Sequence, residues 1–234
     1  MIVTLGYHHQ VQHPLNSIKS LYRNPETPGS LFLSLEGIEG SGKSTQIKEI
    51  EEFVKGKGLR VLTLREPGGT AFGEKLREAI LNSETPLHPL AECHLFLASR
   101  AQLLKEKILP FLLVPGSVVI LDRYIDSTLA YQGKARKLGY QTVLTLHQFD
   151  PLNLLPHRTY FLDIELETSL ERQKIRGNDK DYFESQKQEF YQNLVDGYRE
   201  LSELFSDRIL KLNAENSISE VTALILSDLE RLIP

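Results

Sequence analysis

Eight consecutive residues limit what this chain can fold into more than any other feature. Gly37-Ile38-Glu39-Gly40-Ser41-Gly42-Lys43-Ser44 matches the pattern G-x-x-x-x-G-K-[ST] in full. The apolar run before it, residues 31–35, reads as a buried strand, and residues 45–57 read as a helix. A glycine-rich turn between strand and helix aims its backbone N–H groups at one point, where they converge on phosphate oxygens. The start of the helix adds partial positive charge at that point. In such a loop the lysine, here Lys43, reaches the β- and γ-phosphates, and the hydroxyl of Ser44 holds Mg²⁺. An ordinary glycine-rich turn is the competing reading, and the order strand, loop, helix argues against it.

The rest of the chain extends this architecture. Residues 59–64, 118–122, 159–163 and 208–212 are short apolar runs of strand length. Helical patterns lie between them. Leu90, Cys93, Leu97, Ala101, Leu104, Ile108 and Phe111 recur every three or four residues, which predicts a long amphipathic helix that bends or ends near Pro110. Phe190, Leu194, Tyr198, Leu201 and Phe205 predict another helix over 184–205, and Ser217 with Glu220 resembles a capping box that opens a last one. A further short helix is expected over 71–81. Strands alternating with helices imply a parallel sheet covered on both faces. Ligands of such sheets bind beyond the carboxyl ends of the strands, so the segments after Leu35, Leu64 and Leu121 should meet in one cleft.

Composition narrows the function classes. The 234 residues suffice for one large α/β domain, and the net charge of −4 lacks the excess of Lys and Arg that a broad nucleic-acid surface shows. A single cysteine, Cys93, excludes an intrachain disulfide framework and suits a reducing, cytoplasmic setting. No apolar run approaches a membrane span, and the histidines show no zinc-like spacing with cysteine. Residues 1–30 differ from the remainder. They hold His8, His9 and His13 and end in the breaker cluster Asn24-Pro25-Glu26-Thr27-Pro28-Gly29, which reads as a linker after a tail. The domain is therefore expected over 31–234.

Other segments hold candidates for a second site. Asp122-Arg123 closes the third strand; the carboxylate is placed like the acid that holds Mg²⁺ in phosphate-loop enzymes, and the arginine offers a planar fork to a phosphate. Phe96 and Arg100 lie four apart on the long helix and are neighbours there. They suit a ring that stacks on a base and a guanidinium that bonds its edge, although spacing alone favours Phe96 as core and Arg100 as a solvated charge. Lys134, Arg136 and Lys137 follow a polar stretch and suit either wet surface or a mobile flap that brings an arginine finger to the phosphates. Arg65 and Glu66 follow a strand end and face the cleft. Cys93 reads as a buried thiol without chemistry.

The ordered set 36–45 (EGIEGSGKST), 65–70 (REPGGT), 122–124 (DRY) and 127–133 (STLAYQG) resembles the bacterial type of thymidylate kinase, from about Leu31 to Leu232. The resemblance implies a three-layer P-loop fold with a five-stranded parallel sheet and a short basic lid. It also implies transfer of the γ-phosphoryl of ATP to dTMP with Mg²⁺, and a homodimer. It assigns ATP to Gly37, Ile38, Glu39, Gly40, Ser41, Gly42, Lys43, Ser44 and Thr45, and the metal to Ser44 and Asp122. Phe96 would stack on thymine and Arg100 would donate to its edge. Arg77 and Arg123 would hold the dTMP phosphate, and Glu39 would approach the sugar 3′-hydroxyl. Tyr131 would crowd the 2′ position, while Glu66, Ser127, Thr128 and Gln132 would border the nucleotide. Arg136 resembles a flap arginine that joins Lys43, Arg123 and Glu39 in catalysis. The sequence departs from the family at Tyr182, Asn193 and Val195, where arginines are frequent. Two rivals are a deoxynucleoside kinase, which would need a carboxylate base, and a nucleotide switch, which would need an Asn-Lys-x-Asp string that is absent.

Overall fold

A computed structural model describes residues 22–176 and 188–233. Five strands form one parallel sheet: β1 (Leu31–Glu36), β2 (Arg60–Arg65), β3 (Ser117–Asp122), β4 (Arg158–Asp163) and β5 (Ile209–Asn213), in the order β2-β3-β1-β4-β5. All six residues of β1 are buried, because it lies at the centre with helices on both faces. Its register sets Leu33 beside Ile120 and Leu35 beside both Asp122 and Tyr160. Continuous apolar runs in the sequence are what such doubly covered strands require. Strands β1, β2, β3 and β4 end at Glu36, Arg65, Asp122 and Asp163, so the loops that follow collect at one edge.

The helices are α1 (Lys43–Gly56), α2 (Ala71–Leu81), α3 (Pro89–Leu103), α4 (Ile125–Thr128), α5 (Tyr140–His147), α6 (Leu166–Arg176), α7 (Gln188–Leu204) and α8 (Ile218–Leu232). Thr70 caps α2 by accepting from the Gly73 N–H at 2.9 Å. The capping box at Ser217 and Glu220 forms as the sequence predicts.

Three segments add detail to these expectations. The long helix ends near Pro110 as its pattern predicts: α3 runs into a π-helical turn, Leu104–Ile108, and then Leu109–Leu112. Proline removes a donor and crowds the preceding turn, and a wider turn just upstream absorbs that misfit until the helix stops at Leu112. The basic stretch, open to reading as wet surface or as a mobile flap, is helical: α4 continues as a π-helical segment, Leu129–Ala135, against α7. Each cation at its end is paired, Lys134 with Glu200, Arg136 with Glu92 and Lys137 with Glu189. Residues 22–30, expected as tail and linker, lie along the body. The Tyr22 hydroxyl donates to the Leu144 carbonyl at 2.7 Å, and Arg23 forms a parallel bridge with Leu154. Asn24 donates to the carbonyls of Leu155 and Pro156. The histidines of the first segment and Tyr182 lie outside the described residues. Among the described residues no helix is long and apolar enough to cross a membrane.

Candidate active site

The phosphate loop joins β1 to α1. Gly37, Gly40 and Gly42 have φ values of 140°, 76° and 96°, a region that side chains rarely adopt. At Gly37 a Cβ would also stand 2.6 Å from the Leu162 carbonyl oxygen, so glycine is obligatory twice over. Lys43 curls back over the loop and donates to the carbonyls of Gly37 and Ile38 at 3.1 and 3.2 Å. Burial first, and then the charge of Arg123, hold its ammonium down to about 8. We therefore expect apparent ATP affinity to decline above about pH 8 and approach a tenfold loss per pH unit, since a neutral amine attracts no phosphate. Bound phosphates raise the lysine's pKa, so kcat at saturating ATP should decline only at higher pH. A pH profile of kcat/KM beside one of kcat measures both.

A cavity of about 300 Å³ lies over the loop, lined by Glu39, Gly40, Gly42, Lys43, Ser44, Arg65, Glu66, Arg77, Asp122 and Arg123. Gly37, Ile38, Ser41 and Thr45 shape this loop without lining the cavity. One Asp122 carboxylate oxygen, Oδ1, is buried and accepts no hydrogen bond. An orphaned acidic oxygen and a hydroxyl residue, Asp122 and Ser44, lining one cavity form a donor pair that suits Mg²⁺, which takes one or two protein oxygens and completes its shell with phosphate and water.

A second cavity, about 130 Å³, adjoins the first. Phe96, Arg100, Ser127, Thr128, Tyr131 and Gln132 line it, and Glu39, Glu66, Arg77 and Arg123 line both. Arg123 sits at this junction with φ 70°, a strained backbone that sends its side chain back under the loop. Its Nη1 donates to the Gly37 carbonyl at 2.9 Å and approaches the Tyr198 hydroxyl at 3.1 Å and the Ser127 hydroxyl at 3.3 Å. Arg77 donates to the Pro67 carbonyl, across from the cis Glu66–Pro67 bond.

Spacing alone favours a solvated Arg100 and a core Phe96, and the structure corrects both. Arg100 is only 1% exposed and Phe96 is half-buried on the cavity wall. The guanidinium pairs with Glu66 Oε2 at 2.6 Å and lies over the Tyr124 ring. Burial is tolerated because the charge is paired and the ring face is electron-rich. Arg136 stands apart from both cavities. It lines neither cavity, pairs with the fully buried Glu92 at 3.2 Å, and lies over the Phe190 ring. Glu92 in turn accepts from Gln132 at 2.8 Å. Truncating Arg136 would leave Glu92 buried without its cation. We expect Arg136→Ala to cost about 2–3 kcal/mol and lower Tm by about 5–10 °C, with kcat within about threefold of the parent. Calorimetry and steady-state kinetics on one sample check this; a hundredfold lower kcat at an unchanged Tm would restore Arg136 to the chemistry.

Three residues to which the sequence assigns no role support the site. Glu36, at the tip of β1, accepts from the Tyr124 N–H at 2.7 Å and from the Ser127 hydroxyl at 2.5 Å. Burial, and then the nearby Asp126, push its carboxyl up to about 7. Tyr198 supplies the hydroxyl that Arg123 reaches; its helical spacing reads only as core. Arg172 braces the loop from α6 by donating to the Gly40 carbonyl at 3.2 Å. An acid inside a buried strand is a visible signal for Glu36, whereas nothing in the sequence marks Arg172. Val195 is buried in the core, so that position packs instead of reaching the cleft.

The sequence pattern of the thymidylate kinase family matches residues 35–225. The chain belongs to the thymidylate kinase family. The thymidylate kinase of Thermosipho africanus is 41% identical over 201 residues, covering 86% of this chain and 98% of that protein. The thymidylate kinase of Caldanaerobacter subterraneus is 40% identical, covering 85% and 94%. Among solved structures, the thymidylate kinase of Ehrlichia chaffeensis superposes with a TM-score of 0.67 at 28% identity, over 87% of this chain and 99% of that one.

Proposed function

We propose that this chain transfers the γ-phosphoryl group of ATP to dTMP, giving ADP and dTDP. The observation that carries the reading is the shared wall: a phosphate-loop cavity and a base-sized cavity meet at Glu39, Glu66, Arg77 and Arg123. An oxygen of the acceptor phosphate attacks the γ-phosphorus while the bond to the β,γ-bridging oxygen breaks. The acceptor is already an anion, so no strong base is needed; what is needed is placement and neutralisation of charge. Lys43 meets the donor phosphates, and Arg77 and Arg123 meet the acceptor. Mg²⁺, held through Ser44 and Asp122, would supply further charge at the β- and γ-phosphates. Glu39 stands at the junction, where a sugar 3′-hydroxyl would lie. Phe96 stacks on the base, with Arg100, Thr128 and Gln132 around its edge and Tyr131 near the sugar. The same reading carries a homodimer in the cytoplasm, and sedimentation at assay concentration tests the dimer.

Two arginines beside the acceptor cavity favour a phosphorylated acceptor over a nucleoside. Coupled release of ADP should be seen with ATP, Mg²⁺ and dTMP, and not with thymidine in its place. Turnover of thymidine alone would make the chain a deoxynucleoside kinase. ATP binding with no turnover of any monophosphate would reduce it to a nucleotide-binding protein.

A further inference from the structure

Arg100 carries five N–H donors, and the described residues engage four of them. Nε and one Nη2 hydrogen converge on Glu66 Oε2, at 2.7 and 2.6 Å. The other Nη2 hydrogen goes to the Thr128 hydroxyl at 3.0 Å. Nη1 contacts Nε2 of His147, a fully buried side chain at the end of α5. The other His147 nitrogen, Nδ1, lies 2.8 Å from the Val143 carbonyl. A carbonyl only accepts, so Nδ1 must carry the ring proton and Nε2 must present a lone pair. One Nη1 hydrogen is left over, on a guanidinium that lines the base-sized cavity.

We propose that His147 is a positioning residue for base recognition: it takes one Nη1 hydrogen of Arg100 and so fixes the orientation of the last N–H, which is left for a carbonyl oxygen on the pyrimidine edge. This rests on Arg100 reading the base, as proposed above. Glu66 and Thr128 hold the rigid fork from its Nε and Nη2 side, and His147 is its partner on the Nη1 side among the described residues, so without His147 the plane can pivot about those contacts. Burial and the charge of Arg100 keep the imidazole neutral, holding it down to about 3, so the lone pair persists at any working pH. A guanidinium cannot accept, so a fixed Arg100 selects a keto edge over an amino edge. The base class is thus a 4-keto pyrimidine, and His147 sharpens its discrimination from a 4-amino pyrimidine.

The test uses the full chain with three substitutions, His147→Leu, His147→Gln and Arg100→Met. Leucine fills the space and accepts nothing; the glutamine oxygen can still accept near the Nε2 position. We expect His147→Leu to raise KM for dTMP by about tenfold, with KM for ATP unchanged within about twofold, and to narrow the preference for dTMP over dCMP. His147→Gln should restore most of both. An unchanged KM for dTMP in His147→Leu, with Arg100→Met strongly impaired, overturns the proposal and spares the reading of Arg100. An Arg100→Met chain with unaltered KM for dTMP removes that reading itself. Equal defects in the leucine and glutamine variants also overturn the proposal, because a packing role alone would produce them. Should the leucine variant not fold, as judged by its melting curve, His147→Phe, which also accepts nothing, replaces it with the same expectations.

Discussion

Arg123→Ala should lower kcat/KM for dTMP by about a thousandfold, with Tm nearly unchanged. Arg123 borders both cavities, so one guanidinium faces the acceptor phosphate and the γ-phosphate it receives. Charge on the transferring oxygens is greatest in the transition state, and a cation at that point helps the transition state more than either substrate. The fold is little affected for two reasons. Alanine and arginine bear the same φ of 70°, and among the described residues the guanidinium bonds a loop carbonyl and two hydroxyls and lies over the Tyr131 ring, all at the cleft. Arg123→Lys should recover only part of the loss, since an ammonium keeps the charge but not the planar fork. Single-turnover kinetics separate the chemical step from binding. A lysine variant as active as the parent would show that charge alone suffices; an alanine variant as active would remove Arg123 from the reaction.

The second large effect is expected at Phe96. Phe96→Ala should raise KM for dTMP by about 10- to 100-fold, the range for losing one aromatic face against a base. KM for ATP should stay within about twofold, because Phe96 lines the smaller cavity and not the one over the phosphate loop. Leucine at the same position separates stacking from simple filling: it keeps apolar contact but offers no ring face, so it should recover little. Equal rises in both KM values would point to a general disturbance of α3 and contradict a base-stacking role. Paired titrations of the two substrates suffice.

These two residues are legible to different degrees. Arg123 follows an apolar strand beside a phosphate loop, and strand order alone brings it to the cleft. Phe96 and Arg100 are visible as helical neighbours, but their spacing alone favours Phe96 in the core and Arg100 in water. What decides is that α3 turns that face to the cavity, where Glu66, Thr128 and His147 surround the guanidinium. Those partners come from three other elements, between 28 and 47 residues away. Arg136 shows the opposite case. A cluster of basic residues after a polar run has the composition of a flap, yet each cation finds an acid on a packed neighbour.

By itself the sequence determined the succession of elements along the chain: five apolar runs, the helices between them, and a glycine loop whose backbone geometry no other residue supplies. It did so because these are local properties, set by period, by φ and by the missing Cβ. The tertiary structure alone decided which charges meet. Arg100 is buried and not solvated, Arg136 is bound to Glu92, Arg172 reaches the phosphate loop, and residues 22–30 lie on the body. A long side chain's partner depends on which elements pack together, and its charge is tolerated only where that packing brings an opposite charge or an acceptor within reach.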